Sequence, residues 1–421
     1  MVKKYSPVIF IAIFIVLLVS SESAYAANAS RMLGFSARDQ GMAGATTASS
    51  EDTSCLVKNP AGLVRIGNRI DVSYENILLH DVTMHTEGPS QPALGGASYA
   101  NNGVRQRSNI NYIPGVNAGV SYRIPETDRY PIAIGMGVFT IGGMANNYSR
   151  SRLNPLLMAN GGNYDKMLDL RTIRVAPGIA AAFNDKLSFG MTANVDMQAL
   201  RTNLAHSTST GFEETSGGGK WDITAGAGFT LGLLYKHNDK ISLGASYESH
   251  GWQQHHHKYE DCLPYIDEPP IVSVGISIKP IKNLELTYDT RYINWTDVKL
   301  ARLTPSQGGF GWRDQWVFAV GSEYTTFKDK LKLRLGYNYG RSPIQHNVMF
   351  ANALMPVILE HHITTGFSYL ITENTSLDFA WEHHFNNVIA DYGGDSGDNI
   401  GTGTKVTAAA DIITAGLGYK F

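Results

Sequence analysis

The residues of this sequence with the clearest potential chemistry are its clustered histidines. They form one consecutive triplet and two adjacent pairs, His255-His256-His257, His361-His362 and His383-His384. Imidazole nitrogens bind transition metals, so a triplet in a loop could form a weak metal site. Adjacent residues of a strand point to opposite faces, so neither pair can form a site alone. We predict a solvated polar loop at the triplet, and no metal or cofactor.

Three arginines form a second set of candidates. Arg174, Arg291 and Arg334 each lie in a segment whose alternate residues are apolar. An arginine that faces lipid at the middle of a membrane costs about 2–4 kcal/mol, so we predict that all three face a barrel interior. There they could bind a ligand's carboxylate through a two-pronged hydrogen bond, or tie the interior together by salt bridges. The sequence leaves both interpretations open.

Composition and charge narrow the class of protein. The chain contains 43 glycines and 21 tyrosines, only 17% of its residues are charged, and its net charge is −2. This balance gives no reason to expect a nucleic-acid partner. The two cysteines, Cys55 and Cys262, are too few for a disulfide framework, and we predict free thiols. The composition favours an exported bacterial outer-membrane β-barrel.

The first 26 residues have the pattern of a secretory signal peptide. Lys3 and Lys4 precede an apolar stretch at 8–19, and Ala24-Tyr25-Ala26 is a small-x-small cleavage site. The apolar stretch is shorter than the roughly 20 residues that a membrane-spanning helix needs. We therefore expect the mature chain to begin at residue 27.

Fourteen segments show alternating or strand-rich patterns, and an even number suits a bacterial barrel. They are residues 68–79, 116–124, 130–140, 172–184, 186–203, 222–238, 241–251, 269–281, 283–297, 311–326, 330–344, 358–371, 375–390 and 404–421. Short connections alternate with long polar ones at about 80–115, 141–171, 204–221, 252–268, 298–310, 345–357 and 391–403. The sequence therefore predicts an all-β protein, a fourteen-stranded antiparallel transmembrane β-barrel over residues 67–421 with short periplasmic turns.

Residues 27–66 lack both strand alternation and a sustained helical pattern. They are rich in Gly, Ala, Ser and Thr, and they contain Asn59-Pro60-Ala61-Gly62 near their end. Proline fixes φ and asparagine bonds locally, so these four residues predict a tight corner. We interpret the segment as a plug inside the barrel; a disordered leader is the alternative.

Five phrases of the sequence occur in a distinctive order: Gly41-Met42-Ala43-Gly44-Ala45, Asn59-Pro60-Ala61-Gly62-Leu63, Leu243-Gly244-Ala245-Ser246-Tyr247, Trp295-Thr296-Asp297 and Leu333-Arg334-Leu335-Gly336-Tyr337. Together they resemble the FadL/TodX family of outer-membrane transporters for long-chain fatty acids and aromatic hydrocarbons. The chain also ends in an alternating strand with Phe421 last, which resembles the signal read by the barrel-assembly machinery. Outer-membrane lipid and lipopolysaccharide are further expected partners, and we expect a monomer.

The resemblance implies facilitated uptake of a hydrophobic small molecule with lateral release through a gap at the third strand. We place the gate at the glycines of that strand, Gly135, Gly137, Gly142 and Gly143; the alternative is the ordinary glycine enrichment of a barrel. Four apolar residues of the plug could line the pocket with the three arginines, or could equally form the plug's own small core: Met32, Leu33, Phe35 and Met42. The alternatives are a general aqueous porin and, with less support, a lipid-acting barrel hydrolase. No motif orders Ser and His as a hydrolase requires, so we predict a protein that is not an enzyme.

Overall fold

Fourteen antiparallel strands close into one barrel in the computed structural model, which describes residues 28–85, 91–92, 98–99, 105–125, 130–148, 166–208, 211–393 and 402–421. The first seven strands are β1 (Arg69–His85), β2 (Tyr112–Ile124), β3 (Ile132–Tyr148), β4 (Lys166–Val175 and Gly178–Ala182), β5 (Leu187–Thr202), β6 (Asp222–Lys236) and β7 (Ile241–Glu248). The other seven are β8 (Ile271–Ile281), β9 (Leu284–Ile293), β10 (Gln315–Thr326), β11 (Leu331–Gly340), β12 (His361–Leu370), β13 (Thr375–Ala390) and β14 (Lys405–Lys420). Pairing of β1 with β14 closes the barrel. The fold prediction is confirmed, whereas the predicted signal peptide lies outside the described residues.

The connections alternate between short and long, as predicted. We call the end of the barrel with the short turns the turn end, and the opposite end the loop end. The long connections carry small extra strands, at Gln91–Pro92, Ser98–Tyr99, Arg105–Arg107, Ala205–Thr208, Gly211–Glu214 and Trp252–Gln253. The connections after β9 and β11 pack together as an apolar cap, in which the rings of Trp295 and Trp312 lie 5.0 Å apart.

The barrel wall has an apolar outer face and a polar inner face. In β5 the exposed side chains include Met191, Val195 and Met197, whereas the alternating Asn194 and Asp196 are buried. This alternation follows from the two-residue period of a strand and suits a wall between lipid and a polar interior. None of the helices among the described residues is long and apolar enough to span a membrane.

Residues 28–66, which we call the inner segment, lie inside the barrel. Short helices form at α1 (Ala37–Gly41), α2 (Cys55–Lys58) and α3 (Leu63–Ile66), and Ser36 caps α1 by accepting a hydrogen bond from the Asp39 amide. The segment is bonded to strands around the whole wall: Arg31 pairs with Glu248 of β7, Asn59 bonds to Leu233 of β6, and Arg38 pairs with Glu323 of β10. The inner segment can contact strands on these different sides of the wall only from inside the lumen.

The third and fourth strands depart from the predicted boundaries. β3 does not end at residue 140: it continues through Gly142-Gly143 to Tyr148, with a register shift between Thr140 and Gly142. β4 is interrupted at Ala176-Pro177, where proline has no amide to donate to the ladder. The alternation of apolar and polar residues in the sequence indicates only which face of the strand each side chain occupies. It therefore predicts neither a register shift nor an interrupted ladder.

Candidate functional site

The barrel wall is open between β2 and β3 toward the loop end. Their ladder runs from Ile124 and Ile132 only as far as Ala118 and Val138. Above it, the Thr140 hydroxyl contacts the Val116 amide at 3.1 Å, after which β2 continues alongside β1 while β3 continues alongside β4. Residues 112–115 and 142–146 therefore form no ladder with each other.

The inner segment covers this opening from within. The Met32 amide donates to the Ile141 carbonyl at 3.2 Å, and the Gly143 amide donates to the Ser30 carbonyl at 2.9 Å. A Cβ added at Gly142 would lie 2.3 Å from the Ser30 carbonyl oxygen. Only glycine at this position lets the two backbones approach so closely.

A cavity of about 250 Å³ lies behind the opening. Apolar side chains of the inner segment, β1, β14 and the connection before β12 form most of its wall, including Met32, Leu33, Ile77, Leu79, Val357, Leu359, Ala410 and Ile412. Its two arginines already have acidic partners. Arg31 pairs with Glu248 at 2.7 Å and with Glu268 at 2.8 Å, and Arg171 pairs with Asp169 at 2.8 Å.

The predicted pocket and gate residues divide into two groups. Met32, Leu33, Gly142 and Gly143 line the cavity. Phe35 instead packs edge-to-face on Phe139 at 6.4 Å, and Met42 packs beside Gly321 of β10. Gly135 and Gly137 lie where β3 is fully paired with β2. The gate and pocket roles of all eight residues stay predictions.

The three predicted arginines point into the barrel, as expected, but none lines the apolar cavity. Arg174 forms a two-pronged pair with Asp196 at 2.7 and 2.8 Å and also contacts Glu248 at 2.7 Å. Arg334 contacts Glu323 at 2.8 Å. Arg291 donates to the Gly44 carbonyl at 3.1 Å. The contacts of Arg174 and Arg334 match the salt-bridge interpretation, that of Arg291 ties the wall to the inner segment through a backbone carbonyl, and ligand binding by the three arginines stays a prediction.

The Asn59-Pro60-Ala61-Gly62 corner packs directly on the wall. The Asn59 amide group donates to the carbonyls of Thr47 and Leu233, and its oxygen accepts from the Ala61 amide at 3.2 Å. A Cβ at Gly190 of β5 would lie 2.4 Å from Pro60, and one at Gly232 of β6 would lie 2.2 Å from Asn59. These wall glycines were not singled out by the sequence, because nothing local shows which strand meets the corner.

A network of acidic and basic residues joins the inner segment to the wall near the turn end. Glu51, Glu285 and Glu323 have carboxylate oxygens within 4.8 Å of one another. Arg38 contacts all three, and Lys332 contacts Glu51 and Glu323. This arrangement neutralises the carboxylates with protein cations, and a second, more polar cavity of about 140 Å³ lies beside it.

The structure departs from the sequence prediction at the histidine triplet. The triplet is not wholly solvated: burial lowers the pKa of His256 to about 4, and its Nε2 contacts Gln198. His255 instead stacks on Tyr265, and His257 contacts Glu260.

The strand histidines meet across two strands. His362 and His384 are directly opposite in β12 and β13, with ring centroids 4.2 Å apart, and His384 lines the cavity. The sequence has a His-His pair in each of two neighbouring predicted strands, and this repetition could have indicated the contact. The rule on opposite faces applies within one strand only. Both cysteines are free thiols, as predicted.

Comparisons with known proteins agree on one family. The family model described as "Outer membrane protein transport protein (OMPP1/FadL/TodX)" matches residues 17–421. A search of curated protein sequences finds no match.

Solved structures share the fold. The Pseudomonas putida toluene transporter TodX has a TM-score of 0.66 at 17% identity, covering 92% of this chain and 99% of its own. The Ralstonia pickettii toluene transporter TbuX has 0.65 at 19% identity, with coverages of 92% and 99%. A Pseudomonas aeruginosa FadL homologue has 0.65 at 15% identity, with coverages of 93% and 100%.

Proposed function

Because the chain belongs to the outer-membrane transport protein family of FadL and TodX, we propose that it takes up small uncharged apolar solutes and releases them sideways between β2 and β3. The family consists of outer-membrane transporters of hydrophobic compounds, not of enzymes. The finer parts of the proposal, the uncharged solute and the lateral exit, depend on the cavity and the wall opening described above.

The cavity wall is the observation that carries the choice of solute. Its lining is mainly apolar, as in sites for apolar ligands, and its buried guanidinium, that of Arg31, is bound to two carboxylates. A fatty acid would have to displace Glu248 or Glu268 from Arg31, which would cost buried Glu268 its ion pair or leave Glu248 with Arg174 alone. An uncharged solute requires no such exchange. The toluene transporters among the solved structures support the same solute class by fold similarity alone.

The exit requires a small movement of the inner segment. Two backbone hydrogen bonds, from Met32 to Ile141 and from Gly143 to Ser30, hold residues 30–32 across the opening. Each such bond contributes only about 1 kcal/mol net, so binding of a solute in the cavity can offset their loss. The solute would then pass between β2 and β3 into the hydrocarbon layer without entering the aqueous periplasm.

A cavity-filling substitution tests this function. Ala410 of β14 is buried and lines the cavity, whereas Ala415 of the same strand is exposed on the outer face. We expect Ala410→Phe to lower uptake of radiolabelled toluene by about tenfold or more, because overpacking at this site blocks binding. The matched variant Ala415→Phe should take up toluene as the parent does. Unchanged toluene uptake by Ala410→Phe, or a larger loss for oleate than for toluene, would contradict the proposal.

A further inference from the structure

We infer that an outward-facing cluster on β4, β5 and the residue before β6 binds a phosphate group of lipid A, the phosphorylated glycolipid of the outer leaflet. The cluster consists of Asp169, Arg171, Arg201 and Trp221, and we call it the basic rim cluster. Of its four members only Arg171 also borders the cavity described above, and the inference requires that the barrel lies in the outer membrane with its loop end outward.

A buried carboxylate holds the two guanidiniums of the cluster side by side. Arg171 donates Nε and Nη2 to the two oxygens of Asp169 at 2.8 and 2.9 Å. Arg201 donates Nη2 to the same carboxylate at 3.0 Å. Asp169 is fully buried beneath them, while the two arginine side chains are 37% and 32% exposed. The cations are therefore fixed in position and still accessible.

The indole of Trp221 completes the cluster. The guanidinium carbons of Arg201 and Arg171 lie 4.5 and 5.4 Å from its ring centroid. Stacking on an aromatic face further fixes a guanidinium without using its remaining N–H donors. Tryptophan itself is enriched at the membrane–water boundary, where its ring meets hydrocarbon and its N–H meets water.

The strand register places the cluster at the outer edge of the apolar band. Asp169 is opposite Arg201, and two residues further down the outer face of β4, Arg171 is opposite Ala199. The next outward-facing pair is Ile173 and Met197, which are 42% and 52% exposed. Hydrocarbon contact therefore begins one step below the arginines. Head-group phosphates lie at this level, provided that the loop end faces outward.

The charge balance favours an anion. Lys258 donates its Nζ to the Trp221 carbonyl at 2.5 Å, and Lys220 is exposed next to Trp221 in the chain. Asp222 accepts from the Lys258 backbone amide, and Asp261 accepts from the Ser216 backbone amide. Within the cluster itself, two guanidiniums share one carboxylate. Each arginine keeps N–H donors that Asp169 does not use, and paired guanidiniums with free donors suit a phosphate.

The test measures lipid binding to the full-length, detergent-solubilised protein by native mass spectrometry. The probes are diphosphoryl lipid A and the same lipid after enzymatic removal of its phosphates. We expect the Arg171→Gln/Arg201→Gln protein to bind diphosphoryl lipid A about tenfold more weakly than the parent, the scale of one charge-assisted hydrogen bond. The dephosphorylated lipid should bind the parent as weakly as the phosphorylated lipid binds the variant.

A control protein with the same change in charge distinguishes the site from general attraction. Lys299 and Arg302 are exposed on the cap, away from the lipid-facing wall. Lys299→Gln/Arg302→Gln should bind diphosphoryl lipid A as the parent does. Equal losses in the two double variants, or equally tight binding of phosphatidylglycerol and diphosphoryl lipid A by the parent, would overturn the assignment.

Two further variants distinguish a loss of lipid binding from a loss of folding. Removal of both arginines leaves Asp169 buried without a partner, so the triple variant Asp169→Asn/Arg171→Gln/Arg201→Gln is measured as well. The single variant Asp169→Asn keeps both cations and should bind diphosphoryl lipid A at least as tightly as the parent. Wild-type affinity in the triple variant, or a loss of affinity in Asp169→Asn as large as in the double variant, would show a structural tie and no lipid site.

Discussion

At the scale of single residues, the interior charges are held by pairing. Arg174 illustrates this, because its side chain is only 1% exposed and contacts both Asp196 and Glu248. Desolvation makes a buried charge costly unless a partner of opposite sign is close. The same arrangement that neutralises Arg174 leaves it without a free donor pair for a ligand's carboxylate.

The first prediction concerns this pair. We expect Arg174→Ala to lower the free energy of unfolding by about 3–5 kcal/mol, because buried Asp196 loses its cation and Glu248 keeps only Arg31. Urea titration followed by heat-modifiable gel migration measures the loss. Arg65→Ala is the control, since exposed Arg65 donates to the Lys186 carbonyl at the surface and its loss should cost about 0.5 kcal/mol or less. Selective loss of fatty-acid binding with unchanged stability would restore Arg174 as a ligand residue.

At the scale of elements, the cap is tied to the connection after β7 through one histidine. His250 Nδ1 contacts Asp297 at 2.6 Å, and its Nε2 contacts Asp267 at 3.2 Å. The hydrogen bond to Asp267, followed by that to Asp297, raises the pKa of His250 above its ordinary value, although partial burial opposes the shift. A histidine with a raised pKa stabilises the folded form below its unfolded pKa, and this stabilisation is lost as the pH rises through the folded pKa.

The second prediction is therefore that the cap loosens as the pH rises. Hydrogen exchange of residues 294–302, corrected for intrinsic rates, should be slower relative to the unfolded chain at about pH 6 than at about pH 8.5, on either side of the histidine range. His250→Gln should remove this difference, because glutamine does not titrate. A difference that persists in His250→Gln would assign the pH dependence to another group.

At the scale of the whole molecule, the inner segment and the wall satisfy each other's polar groups. Glu285 and Glu323 of the wall contact Arg38, and Asp289 accepts from the Thr47 amide at 2.9 Å. A chain without these inner contacts would expose the same wall carboxylates to a water-filled lumen. The barrel ladder itself does not depend on the segment, since β1 to β14 pair with each other around the closed circle.

The third prediction follows from that separation. Deletion of residues 34–58 should leave a barrel that assembles and shows heat-modifiable migration, while its conductance to small ions in a planar bilayer rises well above that of the parent. The water-filled lumen replaces the lost contacts of the wall carboxylates. A deletion protein that conducts as little as the parent would mean that the segment is not a plug, and a parent that already conducts steadily would favour the porin alternative.

The amino-acid sequence by itself determined the strand number, the alternation of connections and the faces of Arg174, Arg291 and Arg334. These features follow from the two-residue period of a strand and from the cost of charge in lipid, both of which are local. It also indicated the Asn59-Pro60 corner, because proline and asparagine restrict their own backbone.

Only the tertiary structure decided which of these residues meet. The wall opening depends on where the β2–β3 ladder stops, and the role of Gly142 depends on the Ser30 carbonyl, which lies more than a hundred residues away in the chain. The partners of Arg174 lie on β5 and β7, and His362 meets His384 only because β12 and β13 are neighbours in one register. Side-chain types predict which faces are polar, but the pairing of distant polar groups depends on how the closed barrel brings its strands and inner segment together.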